Sequence, residues 1–518
     1  MKKYKFCLLA LSVVITMSNC NKNKLDLVNP NEQTAASFWQ TSDEALQGAN
    51  ACYEAVINDG GYMRQTQAIL DIRGEDVRSL SPWNNFSNLG VFNTSSLDPC
   101  DVWTYISFYG GVSCCNQVLE HVPNINMDQN LKNRVLGQAY FLRGFYYFHL
   151  VNFYGRVPII LKYGDIYEPQ ATVAQGWTQV ISDLKNAASL LPTSYTGLSP
   201  DGQVGRATQG AAMGYLGKAY LFNNKFDSAS IQFKKVIDLG IYSLVPNYID
   251  NSTLANSNNA ESIYEIQFST VTGTNPSWTG DPNPSWGHVN GRASTYGPNN
   301  FAFSDIKPTP FLLNEFHLEK TTTGQVDPRC MLTIFYNDTA DTHRPTTPMY
   351  QTTFQAAYAG NSALFNDVYC KKYQNYLGDR PDDFDFKSAI NERVMRYADI
   401  LLMYAECLNE LNQTAAAAPY IQQVRNRAQL PDLTATFAVM SQQQMRDQLS
   451  HERLLEFSLE GHRFDDIHRW GWLQDPTKLA LLKSRDPEFN TYIPGREYLP
   501  IPEQEISTNV NYTQNPGY

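Results

Sequence analysis

The sequence has no basic block, no zinc-type cysteine spacing and no apolar stretch long enough to cross a bilayer. Its 40 basic residues are outnumbered by 51 acidic ones, for a net charge of −11 over 518 residues. An acidic chain without a clustered positive patch is a poor partner for a phosphate backbone, which argues against nucleic acid as its ligand. None of the nine cysteines forms a C-x-x-C pair, so no structural zinc is expected. H-E-x-x-H, a phosphate-cradling glycine loop and G-x-S-x-G are missing as well. Asp382-Asp383-x-Asp385 starts like a calcium loop but lacks the glycine and distal glutamate, and reads as a solvated acidic turn. A glycosidase carboxylate pair cannot be chosen from 51 acids without geometry. The expectation is no catalytic residue, no metal and no cofactor.

Aromatic residues are abundant, at 13% with 31 Tyr and 8 Trp, which suits a surface that stacks on flat apolar faces. The longest apolar run, Phe6 to Met17, follows Lys2, Lys3 and Lys5 and ends at Ser18-Asn19-Cys20. It is too short for a membrane span and has the layout of a bacterial lipoprotein signal. Residues 1–19 are therefore read as the signal, Cys20 as the lipidation site and residues 20–37 as a tether. A secreted chain without lipid is the alternative. Seven cysteines remain after Cys20. Buried free thiols are the default, and a bridge from Cys100 to Cys114 or Cys115 stays open.

From Phe38 onward the chain reads as one unit, 38–518, with a mainly α scaffold at 38–244 and 386–518. Ser42 is placed as the N-cap of a first helix running through Tyr53 and Val56. Arg78 to Ser96 shows no helical period and reads as a Ser/Asn loop. Helices resume at 103–122 and 131–154. Leu136-Gly137-x-x-Tyr140 recurs as Leu216-Gly217-x-x-Tyr220, followed by Ala229, Phe233 and Val236 at tetratricopeptide spacing. A third hairpin, 396–409 with 415–428, keeps the helix pair without the motif. The predicted architecture is a tetratricopeptide-like helix-pair scaffold, an αα superhelix.

Between 245 and 385 helical periodicity fades, except around Pro310–Phe316. An irregular stretch of that length in a compact protein is usually functional, so it is read as a ligand-binding insertion. It contains Asn275-Pro-Ser-Trp278 and its near copy Asn283-Pro-Ser-Trp286. A sugar ring offers an apolar face and a rim of hydroxyls; aromatic rings take the first, and Asn, Asp and Arg take the second. Two candidate patches follow. One is Trp83 and Phe86 with Asn84 and Asn85; the other is Trp278 and Trp286 with Asp281, Arg292 and Tyr296. The bland alternative is that each tryptophan packs into its own loop.

The segment 452–471 concentrates charge: Arg453, Glu456, Glu460, His462, Arg463, Asp465, Asp466, His468 and Arg469. Leu454, Leu455 and Leu459 form one apolar stripe, and Phe464, Ile467 and Trp470 another, separated by Gly461. We read it as two packed helices with Gly461 in a left-handed cap and Arg–carboxylate pairs fixing their angle, rather than as a catalytic centre.

These motifs carry a resemblance. The 452–471 stretch, Arg396-Tyr-Ala-Asp-Ile-Leu-Leu-Met-Tyr-Ala-Glu-Cys-Leu-Asn-Glu410, Tyr498-Leu-Pro-Ile-Pro-Glu-Gln-Glu-Ile506 and Tyr512-Thr-Gln-Asn-Pro-Gly-Tyr518 resemble the signatures of the SusD/RagB family of outer-membrane nutrient-capture lipoproteins. Phe141 to Pro158 resembles that family's central helix and following turn. The resemblance implies an oligosaccharide ligand, a TonB-dependent outer-membrane barrel (SusC-like) as partner, and an outer-membrane, lipid-anchored position facing the cell exterior. Its alternatives are a peptide-binding RagB-like member and, less favoured, a lipid-anchored glycoside hydrolase.

Overall fold

The computed structural model describes residues 38–165, 167–270, 288–337, 348–378 and 386–518. Cys20, Trp278, Asp281, Trp286 and the Asp382–Asp385 turn lie outside them.

The N-terminal half is almost entirely helical: α1 (Ser42–Ala51), α2 (Gln65–Asp71), a short strand β1 (Val77–Ser79), α3 (Asn84–Gly90), α4 (Pro99–His121), α5 (Gln129–Tyr154), α6 (Val173–Leu190), α7 (Gln209–Phe222) and α8 (Phe226–Asp238). The N-cap of α1 is Thr41 rather than Ser42, because Thr41 closes a capping box with Glu44 and Ser42 does not. The expected loop at 78–96 contains α3. That helix has no periodic apolar face of its own, and it forms because Asn85, Phe86 and Leu89 are buried against its neighbours.

α5 is buried at every position from Phe141 to Tyr154, the mark of a helix surrounded by protein on all sides. α6 lies against it as an antiparallel hairpin, and α7 with α8 form the next one. The Leu-Gly repeat explains the close approach. A Cβ on Gly217 of α7 would sit 2.5 Å from the Phe233 ring on α8, and one on Gly137 of α5 would sit 2.9 Å from Leu191. Ala229, Phe233 and Val236 are fully buried, as the tetratricopeptide spacing requires.

The rest of the chain supplies β2 (Ser262–Ile266), α9 (Arg292–Tyr296), β3 (Ile306–Pro308), α10 (Pro310–Leu318), β4 (Glu392–Arg396), and then the helices α11 (Tyr397–Glu410), α12 (Thr414–Arg427), α13 (Gln442–Phe457) and α14 (Arg463–Arg469). α11 and α12 form the third hairpin. β2 and β4 pair antiparallel, so the chain entering the irregular region is hydrogen-bonded to the chain leaving it. β1 pairs with β3, which ties the segment before α3 to the irregular region. That region holds several short helices and two-residue ladders besides α10, each too brief to print a period on the sequence. Among the described residues no helix is long and apolar enough to cross a membrane. Cys100, Cys114 and Cys115 are free thiols.

Candidate functional site

Trp83 sits at the point where the chain turns from β1 into α3, and it is half-buried. Its backbone N–H donates to Ser81 Oγ at 3.1 Å. Its ring packs edge-on to Phe86 at 5.0 Å and lies 6.5 Å from Trp103 of α4. The Arg64 guanidinium lies 4.8 Å from the Trp83 ring centre and 5.7 Å from that of Phe386. Phe386 in turn packs on Phe303, which is 47% exposed. Arg64 is not an unpaired cation: Nε and Nη2 donate to Asp59 at 2.9 and 2.5 Å. Burial lifts the Asp59 carboxyl above the usual carboxylate range, and Arg64 pulls it back down. Asp305 lies beside this cluster. Burial raises its carboxyl, against the opposing pull of the Ser81 hydroxyl and Arg64. Aromatic rings, a neutralised guanidinium, a carboxyl and the exposed Asn84 thus share one face.

The other expected contacts point inward. Asn85 is 2% exposed; its Nδ2 donates to Gln65 at 3.0 Å and its Oδ1 accepts from the Cys100 N–H at 2.6 Å, locking α3 onto α2 and α4. Phe86 is fully buried beneath Trp83. Arg292 is 1% exposed and spans two carboxylates, donating to Asp71 at 3.0 Å and Glu392 at 2.8 Å, and also to the Leu459 carbonyl at 2.6 Å. The Tyr296 hydroxyl donates to Asp71 at 2.9 Å. A guanidinium already saturated by protein acceptors has nothing left for a ligand hydroxyl, so these four residues brace the face rather than contact a ligand.

Asp71 joins this bracing to the charge-rich corner, because its other oxygen accepts from the Gly461 N–H at 2.8 Å. α13 ends at Phe457, and the chain turns through Leu459 (φ 61°) and Gly461 (φ 76°) before α14. The left-handed glycine is where the sequence places it. The left-handed leucine is not foreseen, and its carbonyl is the one that Arg292 holds. The corner is a buried ionic network. Glu456 accepts from Arg329 at 3.0 Å, Arg396 at 2.9 Å and Arg427. Glu460 binds Lys372 at 2.6 Å and Arg396 at 2.7 Å. Arg453 bridges Asp399 and Asp466, each at 2.7 Å, and Arg463 reaches Glu75.

Burial alone would raise these carboxyls, yet the cations outweigh it: Arg396 and Lys372 hold Glu460 down at about 2, and Arg427, Arg396 and Arg329 hold Glu456 far below its ordinary range. Burial drives His462 down to about 4, so it is a neutral ring packed on Phe457 at physiological pH. Asp465 is 5% exposed and accepts from Asn152 Nδ2 at 2.7 Å. A general acid or nucleophile must reach substrate; these groups are buried on other groups of the protein.

Of the expected ligand contacts, the structure leaves Trp83 and Asn84 on the surface, sets Trp103, Phe303 and Asp305 beside them, and backs them with the buried Arg64 and Phe386. The five come from four separate stretches with no common spacing, so nothing local in the sequence announces them.

The chain matches a family model described as "SusD family" over residues 260–518, half its length. A second, described as "Starch-binding associating with outer membrane", matches residues 16–221. It is 25% identical to SusD-like protein P2 of Formosa agariphila, with all of both chains covered. Its fold is similar to a SusD superfamily protein from Bacteroides vulgatus (TM-score 0.80, 26% identity, 93% of this chain and 100% of that one). It is also similar to a laminarin binding SusD-like protein (TM-score 0.74, 24% identity, 92% and 100%).

Proposed function

Because this chain belongs to the SusD family, we propose that it captures an oligosaccharide at the cell surface and passes it, unhydrolysed, to a TonB-dependent outer-membrane barrel. The observation that carries the ligand class is the face around Trp83. A half-exposed indole with further aromatic rings beside it offers a stacking platform, and Asn84 and Asp305 offer hydrogen bonds to hydroxyls. A relative with matching fold is named for laminarin binding, and one family description names starch, which favours saccharide over peptide. Trp278, Asp281 and Trp286 are proposed to extend the platform from the Asn-Pro-Ser-Trp segments.

The absence of turnover is argued from the corner, whose carboxylates are consumed by buried guanidiniums. The transporter partner and the exterior, lipid-anchored position rest on the family resemblance and on the signal-like segment ending at Cys20. Labelling with a fatty-acid analogue is expected to mark wild type and not Cys20→Ala.

The reading is tested by native electrophoresis in gels cast with different polysaccharides, with peptides as competitors and sugar release followed over a long incubation. Retardation by at least one polysaccharide, weakened in Trp83→Ala, is expected. Competition by peptide alone, or release of product sugars, would reject it.

A further inference from the structure

A second concave region shares no lining residue with the Trp83 cluster. Two cavities, of about 350 and 430 Å³, flank the segment Gln203–Arg206 and share that segment with Tyr264 and Glu265 as a common wall. Each falls in the size range of small-molecule sites, ~300–1,000 Å³. Val204, 72% exposed, stands on the ridge between them.

The ridge is braced from beneath. Arg206 donates to Gln203 at 2.9 Å, Gln138 at 2.8 Å and Asn50 at 2.9 Å. Arg134 grips Asp201 through two nitrogens, at 3.0 and 2.7 Å. Gly205 (φ 92°) lies so close to Gln267 that a Cβ would come within 2.5 Å of its side chain. A loop held in this way loses little freedom when something binds to it.

The lining chemistry names the occupant. One lobe presents the hydroxyl side chains of Thr193, Ser194, Thr196 and Thr208 with Tyr242 and Asn258; the other presents Asn50, Gln203 and Gln267 beside Tyr53 and Ile57. Glu265 is buried against Arg393 at 3.0 Å, the Arg206 guanidinium is held by three amide oxygens, and the partly exposed Glu54 and His288 face each other at 3.7 Å. What is left is neutral donors and acceptors around apolar surface, the complement of an uncharged polyhydroxyl chain. We propose that this two-lobed cleft is a second binding site for a neutral oligosaccharide, laid across Val204. Two sites on one molecule would grip a long polysaccharide more tightly than either site alone, provided that one chain spans both. The proposal rests on the reading of this chain as a glycan binder.

The test is calorimetric titration of the whole folded protein with five hexasaccharides: maltohexaose, laminarihexaose, cellohexaose, xylohexaose and mannohexaose. At least one is expected to bind wild type with two molecules per chain, and Trp83→Ala is expected to weaken one of the two sites several-fold and leave the other unchanged. Val204→Glu changes an exposed side chain, so its melting temperature should match wild type while the cleft's affinity falls about tenfold or more. Thr196→Trp, also exposed, plugs one lobe and should act alike. A single wild-type site that Trp83→Ala weakens and both cleft variants leave intact would overturn the second site and leave the reading standing. A single site lost in the cleft variants and unaffected by Trp83→Ala would place binding in the cleft and remove it from the Trp83 face. Failure of all five to bind would overturn both.

Discussion

The ionic corner and the aromatic face are each crowded with groups able to do chemistry, and they differ in what those groups already touch. In the corner every named carboxylate meets a guanidinium, an ammonium or an amide N–H within the protein, and the side chains are nearly inaccessible. On the face Trp83 is half-exposed, Asn84 projects outward and Phe303 is 47% exposed. The lesson is that density of titratable residues locates strain-bearing structure as readily as it locates a site; accessibility separates the two. The regions are also coupled, since Asp71 holds Gly461 on one side and Arg292 and Tyr296, which brace the face, on the other.

Four experiments break or sharpen that contrast. The largest effect is expected from Arg396→Met, which removes the buried cation that Glu261, Glu456 and Glu460 share. Losing one partner of a buried ion pair costs about 3–5 kcal/mol, so denaturant unfolding should show a loss of that size or the variant should fail to fold.

Next comes pH. Burial works against the charged form of His451, but Glu315 and Glu319 raise it to about 9 from 6.5. Its stabilisation is therefore full below pH 6.5 and lost as pH rises toward 9, with a ceiling of ~3 kcal/mol. Glu460, held at about 2, stabilises above pH 4.5 and loses that contribution as pH falls toward 2. Unfolding free energy measured from pH 6 to 9.5 should decline in wild type, with a flatter curve in His451→Gln. Parallel curves would reject the assignment.

Gly461→Val follows. Its positive φ resists a β-branched side chain, and a Cβ there would lie 2.9 Å from Leu70 Cβ. A loss of about 1–3 kcal/mol in unfolding free energy is expected, with the affinity of the folded fraction kept. Unchanged melting with binding abolished would make the corner a site.

Smallest in energy is Trp83→Ala. An aromatic contact adds ~0.5–1.5 kcal/mol beyond burial, which is a several-fold loss of affinity by calorimetry. The corner variants should move stability and not affinity, and Trp83→Ala should move affinity more than stability. The opposite ordering would merge the two regions into one structural core.

Much of the scaffold was readable from residue order. The Leu-Gly-x-x-Tyr repeat, the apolar spacing of α8, the apolar stripe of α13 and the left-handed Gly461 are local signals, because helix period and backbone freedom act over a few residues. The family signatures are equally local strings. The short elements were not readable in this way. α3 forms without an apolar period because packing against α2 and α4 supplies what its own sequence does not, and the left-handed Leu459 offers its carbonyl to Arg292, a residue 167 positions away. The site divided along the same line. A tryptophan beside asparagines marked Trp83 as a candidate, but whether Asn85, Phe86, Arg292 and Tyr296 face ligand or core depends on partners as distant in sequence as Gln65, Cys100, Glu392 and Asp71. Side-chain accessibility is set by contacts across the whole chain; composition and spacing decide which groups are present, and only folding decides which of them remain unspent.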